Sequence, residues 1–131
     1  MIPLFIAHLV AGTAPTVFGD GEQSRDFTYV ADVVEANLLA AEAPEAAGAA
    51  INIGRGERHT LNEVLGALQR LIGRSVEPRR APPRPGDVRH SQADISKARE
   101  LLGFEPRFDL QQGLRLTFDW YCDVTETQDS G

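Results

Sequence analysis

Cysteine is almost absent. Cys122 is the only one in 131 residues, so neither an internal disulfide nor a cysteine-based zinc site can form, and a reducing cytoplasm is the expected setting. Long apolar runs are missing too. The most apolar stretch, MIPLFIAHLVAG at the start of the chain, is far shorter than the roughly 20 residues of a membrane span. It has no basic residue ahead of it and holds Pro3 and His8, which fits a short amphipathic helix better than a signal peptide. Nor is there a basic excess: the formal charge is -6, which argues against a nonspecific nucleic-acid surface because phosphate binding normally shows as a basic excess. His8, His59 and His90 are scattered, without the i, i+4 spacing of a helical metal site, and no metal is expected.

What remains is an ordinary globular composition, with 42% hydrophobic and 24% charged residues. That suits one domain, or a piece of one. Arginine is unevenly spread: Arg70, Arg74, Arg79, Arg80, Arg84 and Arg89 crowd one stretch, giving a local positive field on an acidic chain. A single small anion needs no more than that.

Ile2, Phe5, Ile6, Leu9 and Val10 fall at helical spacing, and Gly12 follows where a left-handed stop belongs. Thr16-Val17-Phe18 reads as a strand broken by a Gly19-Asp20-Gly21 turn, and Phe27 to Val30 as a second extended piece. Asp32 is placed to cap a helix over Val33 to Glu42, which Pro44 ends, and a strand is expected at Ala50 to Ile53. Thr60 and Glu63 form a capping box before a stripe of Leu61, Val64, Leu65, Leu68, Leu71 and Ile72 that stops at Gly73. The Arg- and Pro-rich segment from Val76 to Pro85 must be extended or looped and exposed. Helices near Asp94 to Leu102 and from Asp109 to about Cys122, the latter with Leu110, Leu114, Phe118 and Tyr121 on one face, complete the order. Residues 1–124 then form one incomplete domain, with 125–131 as a flexible tail. Three or four short strands among five helices make a poor stand-alone sheet, so the pattern reads as part of a larger α/β protein.

The stretch PTVFGDGEQSRDFTYVADVV from Pro15 to Val34 closely resembles the substrate-binding region of extended short-chain dehydrogenases/reductases that act on nucleotide sugars, with UDP-glucose 4-epimerases the nearest type. Later pieces agree in order and spacing: Ile51-Asn52-Ile53-Gly54, the Thr60 helix, Arg84-Pro85-Gly86-Asp87, Ala93-Asp94 with Lys97-Ala98, and Leu102-Gly103-Phe104. The likeness covers roughly residues 1–122. Full-length members also carry a glycine-rich dinucleotide loop and a Tyr-x-x-x-Lys pair in an amino-terminal Rossmann domain. Neither is found here, since Tyr29 and Tyr121 are followed four residues on by Val33 and Thr125. The resemblance therefore implies an α/β fold: the carboxy-terminal portion of an extended short-chain dehydrogenase (Rossmann-type) fold, with few short strands, about five helices, and the Rossmann core absent.

By that resemblance Arg25 contacts the nucleotide diphosphate, which a planar guanidinium can grip with paired hydrogen bonds that a lysine cannot match. The plainer alternative is a surface ion pair with Asp20, Glu22 or Asp26. Arg84 is expected at the phosphates, and Asp87 at the ribose hydroxyls or orienting an arginine, from a proline-stiffened loop whose alternative is an exposed turn with an ordinary ion pair. Phe18 with the backbone of Val17 and Gly19 would seat the uracil. Asn52 either satisfies backbone groups or touches the ligand, the structural role being favoured. Arg79, Arg80 and Arg89 are expected to be solvated, and no catalytic residue is assigned.

The implied role is binding the nucleotide diphosphate of an NDP-sugar, a UDP-sugar by preference, as part of an NAD-dependent epimerase. NAD belongs to the full-length family, and this chain alone is expected to bind none and to be inactive. Rival readings are a dehydratase or decarboxylase portion, a free-standing binding module, a chain that assembles with a separate Rossmann-domain partner, and an inert truncated product. Ile2, Phe5, Ile6, Val33 and Leu38 discriminate among these, because in an intact parent they would pack partly against the absent sheet.

Overall fold

The computed structural model describes residues 1–129, with side chains through Thr125. Five α-helices carry the architecture: α1 (Ile2–Ala11), α2 (Val30–Glu42), α3 (Leu61–Ile72), α4 (Ser96–Leu102) and α5 (Leu110–Asp129). Four short strands link them: β1 (Thr16–Phe18), β2 (Ser24–Arg25), β3 (His59–Thr60) and β4 (Arg79–Ala81). β1 runs parallel to β4 with Val17 opposite Arg80, and β2 runs antiparallel to β3 with Arg25 opposite His59. Ladders this short cannot support a domain by themselves. Helix packing does.

Two clusters form. Phe5, Ile6 and Leu9 of α1, Val17 of β1, Val64, Leu65 and Leu68 of α3, and Leu114 of α5 make the larger one. Ala36 of α2, Ile95, Ala98 and Leu102 around α4, and Phe104 make the smaller. The α3 stripe and its cap are as expected: Thr60 Oγ1 accepts from the Glu63 amide at 3.1 Å, while the Glu63 carboxylate accepts from the Thr60 amide at 2.7 Å. Both α1 and α3 end on a left-handed glycine, Gly12 and Gly73, each with φ 72°. Arg74 adds a cationic cap by donating to the carbonyls of Leu9 and Val10 at the end of α1, where the helix dipole favours positive charge.

Several expectations fail for non-local reasons. The extended piece placed at Phe27–Val30 lies earlier, as β2 at Ser24–Arg25, because that is where β3 offers a partner. Val30 already opens α2, whose N-cap is Tyr29 with no side-chain cap bond. Asp32 is therefore no cap; it sits inside the first turn, 2% exposed, and accepts from the amides of Arg107 and Phe108 at 3.0 and 3.2 Å. Residues 50–53 join no ladder among the described residues, where the pairings are β1–β4, β2–β3 and a Ser24–His90 bridge. A strand needs a neighbour for its backbone groups. Ile51 and Ile53 still pack onto the smaller cluster.

Two segments are more ordered than their composition suggests. The Arg- and Pro-rich segment yields β4 because Arg79 donates its amide to Pro15 O at 2.8 Å, ahead of the ladder to β1. Helix α5 runs on past Cys122 to Asp129, with the Thr125 hydroxyl accepted by the Tyr121 and Cys122 carbonyls. Within the tail expected over 125–131, residues 130 and 131 lie outside the described residues.

Removing the Asp32 acceptor strands two loop amides. Asp32→Ala is expected to lower stability by about 2–5 kcal/mol, and Asp32→Asn by less, since its amide oxygen still accepts one bond. Urea denaturation measures both; an alanine variant within about 0.5 kcal/mol of the parent would contradict this role.

Candidate functional site

A cleft of about 590 Å³ opens between α1, the β1 end and the segment that follows β4. That volume lies in the usual range for a small-molecule site. Its apolar wall comes from α1, where Leu4, Phe5 and His8 share one face, and its polar wall from Gln23, Arg25, Arg84 and Asp87. The two walls are held differently. Phe5 is locked in the core, whereas residues 82–90 are all exposed and form a strap with almost no packing of its own.

Polar contacts hold the strap. Arg25 Nη2 donates to Asp87 Oδ1 at 2.5 Å, and Arg25 Nη1 to the carbonyls of Ser24 and Arg89 at 2.8 and 3.4 Å. The Arg84 guanidinium carbon lies 4.1 Å from the centre of the Phe18 ring, a cation–π contact. Arg89 grips Asp20 with both carboxylate oxygens, at 2.8 and 2.9 Å. Asp20 itself sits in the turn expected from the glycines, Gly19 and Gly21 having φ 77° and 78°. Those positive φ values favour glycine, and a Cβ at Gly21 would stand 2.1 Å from Asn62 Oδ1, displacing the side chain that donates to Asp20 O.

Of the seven residues singled out from the sequence, Phe18, Arg25, Arg84 and Asp87 line this cleft, although they come from distant parts of the chain. Val17, expected to act through its backbone, is not among the lining residues: its side chain is fully buried in the larger cluster and its backbone lies in the β1–β4 ladder. Gly19 lies just outside, its amide donating to Ala81 O at 2.8 Å. Asn52 is exposed in a different depression beside Asp26, Thr28 and Ser91, which Arg25 also borders. Arg25 pairs with Asp87 rather than with the nearby Asp20, Glu22 or Asp26. Arg80 and Arg89, expected to be solvated, are exposed but engaged, Arg80 donating to Asp20 O at 2.8 Å.

Sequence reasoning missed Gln23. Its Nε2 donates to Phe18 O at 2.7 Å, which fixes the amide, and its Oε1 is buried with no partner among the described residues. A glutamine between Glu22 and Ser24 in a polar turn gives no local hint of burial. Thr16, Leu61, Met1, Leu4 and His8 also line the cleft unannounced. Among the described residues no group of three or more His, Cys, Asp or Glu could hold a metal ion, and no helix is long and apolar enough to cross a membrane.

A mixed α/β segment of five helices with paired arginines on one cleft has clear relatives. The family model described as GDP-mannose 4,6 dehydratase matches residues 1–117. The chain belongs to this family of NAD-dependent nucleotide-sugar epimerases and dehydratases. It is 36% identical over 126 residues to a UDP-glucose 4-epimerase of Mycolicibacterium smegmatis, covering 96% of this chain and 40% of that protein. The crystal structure of a Thermotoga maritima UDP-glucose 4-epimerase with UDP-glucose superposes with a TM-score of 0.87 at 41% identity, over 95% of this chain and 40% of that one. A Bacillus cereus UDP-glucuronic acid 4-epimerase in complex with UDP-glucuronic acid and NAD gives 0.89 at 31% identity, over 94% and 40%. The chain thus spans about 40% of the length of the relatives it matches.

The Asp20–Arg89 contact carries a pH signature. Hydrogen bonding from Arg89, helped by the Glu22 amide, lowers the Asp20 pKa from 3.8 to about 2. A depressed carboxyl pKa contributes stability that is fully present above the unfolded value and is lost as pH falls through the folded one. The difference in unfolding free energy between the parent chain and Arg89→Ala should therefore be flat above pH 4 and shrink between 3.8 and about 2. Denaturation of both at a series of pH values measures it; a difference independent of pH down to 2 would contradict the pairing.

Proposed function

We propose that this chain holds the nucleotide diphosphate of an NDP-sugar, a UDP-sugar by preference, as the carboxy-terminal, substrate-binding part of an NAD-dependent sugar epimerase. The observation that carries the reading is the convergence of Arg25, Arg84 and Phe18 on one cleft of suitable size. Two guanidiniums suit two phosphates, and the ring offers a face for a base. In the free chain both seats are filled internally, Arg25 by Asp87 and the ring by Arg84. The internal ion pair is part-exposed and worth roughly 0.2–1 kcal/mol, and a diphosphate, with more charge than one carboxylate and oxygens for both guanidiniums, competes with the internal partners. Dehydratases and decarboxylases of the same family would use the same handle.

NAD fits poorly on these residues. A dinucleotide pyrophosphate needs a glycine-rich turn between a strand and a helix N-terminus. Here α3 follows β3 directly through Thr60, and the approach to α2, Asp26 to Tyr29, holds no glycine. The cofactor and the proton-transfer groups are assigned to a Rossmann portion, in the same polypeptide or a partner chain, and residues 1–124 to the sugar-nucleotide portion. Surface chemistry supports a missing neighbour. Phe5 and Ile6 are buried within the chain, but the outward face of α2 is largely apolar, with Val30 64%, Val34 53% and Leu38 61% exposed and Asn37 and Glu42 its polar members. Beside it the unpaired segment 50–53 borders an alanine-lined hollow of about 500 Å³. Apolar patches of this kind mark interaction surfaces. This favours a covered part of a larger enzyme over a free-standing module or an inert product.

Isothermal titration of the folded chain with UDP tests the handle. Binding is expected, weakened about tenfold or more by Arg25→Ala or Arg84→Ala, with no measurable NAD binding. A folded chain that binds no UDP, or binds it equally after both substitutions, overturns the proposal.

A further inference from the structure

We propose that Asp20 and Arg89 are positioning residues: their two-point pair anchors the strap in the place that presents Arg84 and Asp87 to the cleft. The inference rests on the diphosphate reading for its functional consequence, and on contacts alone for the anchoring.

The strap leaves β4 at Ala81, whose carbonyl accepts from the Gly19 amide, and rejoins the fold where Ser24 meets Arg89, His90 and Ser91. Apart from the Ser24–His90 contact where it rejoins, three side-chain contacts tie it down. Two of them, Arg25–Asp87 and Arg84–Phe18, are made by the groups that ligand would engage, so they loosen when ligand arrives. The third is Arg89–Asp20, and neither partner lines the cleft. Of the three it is the one that ligand would leave in place, beside the Ser24 contacts to Arg89, His90 and Ser91 at the end of the strap.

Its far end is firm. The Asp20 carbonyl accepts from Asn62 Nδ2 at 3.0 Å and Arg80 Nη1 at 2.8 Å, and the Asp20 carboxylate accepts the Glu22 amide at 2.9 Å. The turn is thereby bolted to the start of α3 and to β4. A bidentate guanidinium–carboxylate contact fixes direction as well as distance. Holding a phosphate-binding arginine near its bound position lowers the ordering cost of binding.

A double-mutant cycle tests this. UDP affinity is measured for Asp20→Ala, Arg89→Ala and the double variant, alongside hydrogen exchange of the amides of Asp87 in the strap and Ser91 just beyond it in ligand-free protein. The two single variants and the double are each expected to lose about fivefold in affinity, with strap exchange several-fold faster in all three and the neutral-pH urea midpoint lowered only by what one exposed ion pair contributes. Arg89→Lys, which keeps the charge but not the fork, should fall between. If Arg89 instead meets the phosphate itself, Arg89→Ala weakens binding while Asp20→Ala does not, and the proposal is overturned. Unchanged exchange in both single variants overturns it whether or not UDP binds. Faster exchange in a chain that binds no UDP supports the anchor and defeats the diphosphate reading instead.

Discussion

The Asp26 carboxylate is the contact on which the arrangement of this molecule turns. Its oxygens accept the amides of Arg55 and Gly56 at 2.9 Å each and of Ala93 at 3.2 Å, together with the Thr28 hydroxyl at 3.1 Å. Three loops are thereby gathered around the residue that follows Arg25. A fold with such short strands cannot position loops by ladders, so buried and half-buried carboxylates take over the satisfaction of loop amides. Asp32 does the same for residues 107 and 108, joining α2 to the approach of α5. Close packing follows: a side chain at Gly54 would stand 2.6 Å from Ala93 and 2.7 Å from Asp26, because the loops have been drawn that near.

The cleft inherits this division of labour. One wall is α1, buried through Phe5, Ile6 and Leu9, and moves only with the core. The other is a solvated strap held by ion pairs and one cation–π contact. Exposed ion pairs are individually weak and screened by salt, so the wall that would meet phosphate is also the wall that can rearrange. Rigid apolar seat and adjustable charged wall together suit a ligand with a flat base at one end and charge in the middle.

Legibility in the sequence followed the range of the interactions. The α3 helix, its Thr60–Glu63 box and its Gly73 stop were readable because every partner lies within four residues. The Gly19-Asp20-Gly21 turn and the helical face of α1 were readable for the same reason. Asp32 was misread as a cap, since its true partners lie some seventy positions on. The strand expected at 50–53 has the right residues and no neighbour, and β2 sits where β3 dictates. At the site, Arg25, Arg84, Asp87 and Phe18 entered through a family resemblance that their convergence on one cleft makes physical sense of. Gln23 and the Asp20–Arg89 pair carried no periodic or motif signal, and only the folded chain brings them into view.

Belonging to a family of nucleotide-sugar enzymes while spanning two fifths of its relatives' length makes the cleft, rather than a reaction, the centre of this account. The most direct test is a two-dimensional amide NMR titration of the chain with UDP. Perturbations clustered at Thr16 to Arg25 and at Arg84 to Arg89, saturating together, are the predicted result. Perturbations confined to the depression around Asn52, or a spectrum unchanged by UDP in a folded chain, would contradict it.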